Sequence, residues 1–262
     1  MNLKGKFPFR LGAPSYVIPG DIAANVAYLS GMVDDIELVI FESDELSELP
    51  ETTLLSNLRQ TALRENLTFT VHLPLDIWLG DSNEALRKKS VDKCLRVIER
   101  MRTLLPQGYI LHCHKNAESD MASIKLESWQ RAVGLSLDDI LLSGTPAEML
   151  SVETLDYPFN EIEPIVIEKK CGVCLDIGHI LAHKFPLEEY LSRYSEKARI
   201  IHLHGVKAGR DHCDISAIPA ETLSIILKHL NNGTTPRRIV SLEVFNPGAL
   251  DASLEVFERT LS

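Results

Sequence analysis

An α/β protein built as a (β/α)8 barrel is the fold predicted for this chain of 262 residues. Three observations predict it. Short β-rich runs recur eight times along the sequence, and a segment with helical periodicity follows each one. No Gly-x-Gly-x-x-Gly turn follows any of these runs, which disfavours a doubly wound open sheet, the second candidate fold. The chain is also 45% apolar, and no linker or low-complexity tract divides it, so residues 1–262 are expected to form a single barrel domain around one large core.

The elements follow in order. "FRLGAPS" (9–15) and "IELVIF" (36–41) are the first two strands, with "DIAANVAYLS" helical between them. "ETTLLSNLRQTALREN" leads to the third strand, "FTVHL" (69–73), where strict alternation turns Phe69, Val71 and Leu73 toward the helices and Thr70 and His72 toward the axis. Asp81, three residues before Glu84, reads as a capping box opening the next helix, which ends before "YILHC" (109–113). "HKNAESDM" (114–121) is expected to be a lid-like loop, followed by a helix containing Trp129, read as core. "EMLSVE" (148–153), "GVCLDI" (172–177), "RIIHLH" (199–204) and "RIVSLE" (238–243) complete the strands. Pro186 and Pro219 stand where a first helical residue tolerates a missing N–H.

Bulk properties exclude several classes. A formal net charge of −10 disfavours general attraction to nucleic-acid phosphates. No apolar run is long enough to span a bilayer and the first ten residues lack a signal-peptide core, so a soluble, cytoplasmic protein with no membrane partner is expected. Five cysteines, an odd number, do not suggest a disulfide framework, and the lone Cys171-x-x-Cys174 pair has no second pair to complete a zinc ribbon. Arg237 and Arg238 read as a solvated strand entry.

Barrel chemistry sits where strands end, and those positions are populated by one kind of residue. His72, His112 with His114, Glu153, Asp176 with His179, His202 with His204, and Glu243 close the third to eighth strands. Parity places Ser151 with Glu153, and Ser241 with Glu243, on the inner face. A buried cluster of carboxylates and imidazoles is costly unless cations compensate it, so a centre holding Zn, Mn, Fe or Co is expected. His183 and His229 fall on helices and read as surface residues.

With those motifs in place, "VHLP", "ILH", "LDIGH", "IHLHG" followed by "GRDHCD", and "SLE", the chain resembles, over its whole length, the apurinic endonuclease and xylose isomerase-like superfamily of metal-dependent TIM barrels. Within it, "SYV-P-DI--NV" and "DDIEL--FES" are similar to the cobamide-remodelling phosphodiesterase family, CbiR. The resemblance implies metal ligands at His72, His112, Glu153, Asp176, His179, His202 and Glu243, with one or two more from Asp211, His212 and Asp214. Two or three divalent ions per chain would follow. Glu153 would bridge two of them and Glu243 would orient or deprotonate the attacking water. Lys115, Lys207 and Arg210 are candidates for neutralising phosphate, and Ser15, Tyr16, Glu42 and Trp78 for recognising a small-molecule cobamide, with Phe41, Tyr157 and Phe245 as further apolar walls. A sugar isomerase or epimerase using only Glu153, Asp176, His202 and Glu243, and a non-catalytic corrinoid-binding protein, are the alternatives.

Overall fold

The computed structural model describes residues 2–40, 49–115, 125–232 and 238–261. In chain order these form β1 (Arg10–Pro14), α1 (Ile22–Leu29), β2 (Asp35–Val39), α2 (Thr52–Glu65), β3 (Thr68–His72), α3 (Glu84–Met101), β4 (Tyr109–Leu111), α4 (Leu126–Leu141), β5 (Leu150–Glu153) and α5 (Glu163–Glu168). Then come β6 (Gly172–Asp176), α6 (Ile177–Ala182), α7 (Leu187–Tyr194), β7 (Ile200–Leu203), β8 (Gly205–Lys207), β9 (Arg210–Cys213), α8 (Ala220–Asn232), β10 (Ile239–Leu242) and α9 (Pro247–Arg259). Eight parallel strands close a barrel in the order β1-β10-β7-β6-β5-β4-β3-β2. The predicted fold is the observed one.

Parity sorts the side chains into two cores. Phe69 and Val71 of β3, Leu73 just after it, Cys113 after β4, Leu175 of β6 and Leu203 of β7 join the large apolar layer between barrel and helices. Ile110, Cys174 and Ile200 form a separate small cluster. They belong to the other parity, which faces the axis. Also on the axis are the hydroxyls of Thr68 and Thr70, which donate to buried Asp35 at 2.5 and 2.8 Å. Burial raises the Asp35 pKa to about 6, even though both hydroxyls oppose the shift.

Several local expectations are revised. Asn83, not Asp81, caps α3, accepting from Ala85 and Leu86 backbone N–H groups, while Asp81 accepts from the Asn83 N–H just before it. The two caps act in series, which shifts the helix start by two residues. Residues 147–149 form a 3-10 turn, so β5 starts at Leu150. Two elements were not predicted: the six-residue α6 directly after β6, and the β8–β9 hairpin. The hairpin turns on Ala208 and Gly209, both at positive φ, the pairing that matches the strand twist of a two-residue turn. Arg238 is buried, not solvated; its guanidinium donates to the carbonyls of Ser195, His229 and Leu230. Most of the loop 114–121, together with Phe41 and Glu42, lies outside the described residues.

Candidate metal centre

The strand ends deliver one convergent cluster. His72 ends β3, Glu153 ends β5, Asp176 ends β6 and His202 lies in β7, while His112 and Glu243 each sit one residue past β4 and β10. All six are buried. Glu153 is central: its Oε2 lies 3.3 Å from His72 Nε2 and 3.1 Å from His112 Nε2, and its Oε1 lies 3.5 Å from His202 Nδ1. Glu243 Oε2 is 3.3 Å from His202 Nδ1 and 3.5 Å from His212 Nε2. His179 arrives through local structure, because Asp176 is the N-cap of α6 and accepts the His179 N–H at 2.7 Å. The "DIGH" spacing therefore brings a carboxylate and an imidazole to the same mouth.

A ring nitrogen presents a lone pair only when its partner carries the proton, and most of these rings are anchored that way. His72 Nδ1 donates to the Leu73 carbonyl at 2.8 Å and His179 Nδ1 to the Thr154 carbonyl at 3.1 Å, so in each neutral ring Nε2 carries the lone pair; that of His72 lies 3.3 Å from Glu153 Oε2. His202 Nε2 sits 3.0 Å from Glu37 Oε2, which turns Nδ1 to the cluster. His212 Nδ1 sits 3.1 Å from Asp211 Oδ1. Glu37, fully buried on β2, is not among the residues that the strand-end pattern singles out. Its signal was there, since Asp35 and Glu37 are same-parity carboxylates in an otherwise apolar strand.

Burial alone would raise the carboxylate pKa values. Facing imidazoles overcome it: His112 and His202 hold Glu153 well below the ordinary range, and His202 and His212 do the same for Glu243. Conversely, burial would lower the His72 and His212 values, but Glu153 carries the first to about 9, and Glu243 with Asp211 carries the second to about 9. Even so, Glu153 Oε1, Asp176 Oδ2, Glu243 Oε2, His112 Nδ1 and His202 Nδ1 are buried with no hydrogen bond of good geometry. Orphaned donors of this chemistry fit divalent cations. Ligand atoms within 4.8 Å of one another group as His72/His112/Glu153, as Glu153/Asp176/His202/Glu243, and as His179/His204/His212. Cys174 approaches Glu153 and His202, but burial pushes its thiol pKa well above the usual value, which disfavours a thiolate ligand.

These shifts set a pH signature. A histidine raised from 6.5 to about 9 on folding stabilises the metal-free protein fully below 6.5, and that contribution is lost as pH rises through 9. The melting temperature of the metal-free protein should therefore fall between pH 6.5 and 9. Over the same window zinc affinity should rise, because binding displaces those protons. Differential scanning calorimetry with and without chelator reads both trends; parallel pH dependence in the two states would contradict them.

The remaining predicted residues lie farther out. Asp211 is half exposed, contacts His212 and lines the cavity at the mouth; Asp214 accepts from the Ser216 N–H and hydroxyl in its own turn. Lys207 and Arg210 flank the exposed hairpin turn, and Lys115 pairs with Glu161 at 2.5 Å. Ser15 is buried, its hydroxyl accepting from the Val39 N–H, and with Tyr16, Ile22 and Leu54 it lines a cavity of about 520 Å³. Tyr16 and Phe245 meet edge to face, and Phe245 lies 5.0 Å from His212. Trp78 is half-buried, its backbone N–H held by Ser90. Tyr157 is not a wall: it is buried against Trp129 and donates to the Cys113 carbonyl. His183, expected at the surface, lines a second cavity of about 210 Å³ at the mouth with His112, His114, Asp156, His179 and Asp211. Burial, aided by His112, lowers the His114 pKa to about 4, so that ring is neutral.

A parallel eight-stranded barrel whose strand ends converge on buried imidazoles and carboxylates is a TIM barrel with donor groups that could hold divalent cations at its mouth. Residues 30–260 match the family described as Xylose isomerase-like TIM barrel, and the chain belongs to it. A curated relative, "Probable endonuclease 4" of Cenarchaeum symbiosum (strain A), is 26% identical over 188 residues, covering 64% of this chain and 66% of the relative, just under two thirds of its length. Among solved structures, a D-tagatose 3-epimerase-like protein has a TM-score of 0.75 at 18% identity, covering 97% of each chain. Endonuclease IV from Thermus thermophilus has a TM-score of 0.64 at 19% identity, covering 96% of this chain and 98% of its own. An IOLI protein described with a binding zinc atom has a TM-score of 0.73 at 15% identity, covering 97% and 98%. At these identities the structural likenesses speak for the fold alone.

Proposed function

We propose that the chain is a metal-dependent phosphodiesterase that hydrolyses the nucleotide-loop phosphoester of cobamides. The observation that carries the reaction class is Glu153, whose two oxygens face different ligand groups, His72 with His112 on one side and His202 on the other. An isomerase centre built on one ion has no use for the first group. When bound, divalent ions would supply charge that stabilises the attacking and leaving oxygens of an in-line displacement. Glu153 would bridge the two groups; Asp176 with His202, and His179 with His212, would complete the set. Glu243, held ionised by its imidazole neighbours, would take a proton from water as that water attacks phosphorus. The phosphorus–oxygen bond to one arm then breaks, and that arm leaves as an alcohol after protonation.

The substrate class rests on the resemblance of residues 9–43 to the cobamide family and on the acidic balance of the chain, which disfavours DNA. The 520 Å³ cavity beside Tyr16 offers room for an apolar part of such a substrate. Incubation of zinc- or manganese-loaded protein with a cobamide is expected to yield a loop-opened corrinoid by mass spectrometry, with two or three metals per chain by elemental analysis. Unchanged cobamide under every metal tried would remove the substrate assignment. One metal per chain with proton exchange into a ketose would instead favour the isomerase reading, for which the Glu153/Asp176/His202/Glu243 group is complete by itself.

A further inference from the structure

His204 breaks the pattern of the other anchored histidines. It is fully buried, its ring lies 4.2 Å from that of His212 with 12° between the planes, and it belongs by proximity to a three-imidazole group with His179 and His212. Distance alone would make it a third ligand. Its hydrogen bonds argue otherwise. The backbone N–H of His212 donates to His204 Nδ1 at 2.9 Å. An amide N–H is always a donor, so this Nδ1 carries the lone pair, and the contact with the Gly205 carbonyl at 3.3 Å cannot also be a hydrogen bond. In the neutral ring the proton then sits on Nε2, and a protonated nitrogen does not coordinate a metal. That Nε2 makes no hydrogen bond of good geometry and lies 3.3 Å from Asp176 Oδ1.

We infer that His204 is a positioning residue, not a ligand: it takes the His212 amide proton at Nδ1 and presents Nε2–H to Asp176, tying the β8–β9 hairpin to β6. The inference rests on the metal-centre reading above. Asp176 Oδ1 already accepts the His179 N–H at 2.7 Å, so a second donor on Oδ1 leaves Oδ2, which has no hydrogen bond of good geometry, as the oxygen turned to the ions. Two steric features hold the ring in place. A Cβ on Gly178 would lie 2.1 Å from His204 Cε1, so only glycine lets the imidazole pack on the backbone of α6. His212 adopts φ 50°, an uncommon conformation for a non-glycine residue, and from it donates its amide to His204.

Nitrogen NMR of the imidazoles tests the tautomer directly, with the His204 signals assigned by their absence from His204→Asn. The expected result is a bare Nδ1 and a protonated Nε2 in both metal-free and zinc-loaded protein. Any other protonation pattern, or loss of the Nε2 proton on zinc loading, overturns the inference. His204→Asn retains an acceptor for the His212 N–H, so at saturating zinc it should keep the parent's metal count, with affinity reduced about 10- to 100-fold. Loss of one zinc per chain would make His204 a ligand. A parent that binds no zinc would defeat the functional proposal, while the metal-free spectrum would still decide the tautomer.

Discussion

Glu153→Gln is expected to lower turnover by more than about 100-fold, a range that loss of an outer-shell partner alone can reach, and to remove at least one metal ion per chain. The substitution preserves volume, so its effect isolates chemistry. A carboxylate offers an acceptor to each side, and Glu153 uses both, toward His72 and His112 through Oε2 and toward His202 through Oε1. An amide must turn a donor to one side, and an NH2 group cannot serve as a ligand there. The metal-free protein should suffer as well, since facing groups raise the pKa values of His72 and His202 against the opposing effect of burial, and this carboxylate is one of those groups. Elemental analysis with a turnover assay reads both effects. Parent-like metal content would remove Glu153 from the bridging role.

Trp129→Ala carries the largest expected cost in stability, about 3–5 kcal/mol for a buried aromatic truncated to alanine. In a chain of this size that corresponds to a fall in Tm of roughly 6–20 °C. The indole is fully buried and packs edge to face on Tyr157, with ring centroids 5.1 Å apart. It fills the space at Gly80, where any Cβ would lie 2.2 Å from the indole. Its Nε1–H also donates to the His114 carbonyl at 2.9 Å, so the truncation frees the chain beside His112. Trp129→Phe keeps most of the volume and loses this bond, for which about 1 kcal/mol is expected. Thermal denaturation distinguishes the two; equal losses would locate the effect in the hydrogen bond instead of the packing.

Much of the centre was legible because barrel geometry is periodic. Alternation along "FTVHL", "SVE" and "SLE" assigned inward faces correctly, since a strand side chain has only two directions to choose from. What escaped was set by contacts between segments far apart in sequence. Glu37 stands out in the sequence only as a carboxylate of the same parity as Asp35, and its partner appears when β7 brings His202 Nε2 to within 3.0 Å. Among Asp211, His212 and Asp214 the sequence could not choose. The hairpin turns the His212 ring toward Glu243 and sets Asp211 on the rim of the mouth cavity, while Asp214 caps its own turn.

By itself, then, the sequence determined the architecture and the residue types at the mouth, because helical and strand periodicity are local properties that burial of apolar faces enforces. Only the tertiary structure decided which nitrogen of each imidazole looks inward. That depends on which carbonyl, carboxylate or amide lies across the ring, as Leu73, Thr154 and Glu37 do for His72, His179 and His202. His204 shows the consequence: the histidine spacing of "HLH" cannot distinguish it from His202, yet the bare Nδ1 of His202 faces the cluster while that of His204 is taken by the N–H of His212.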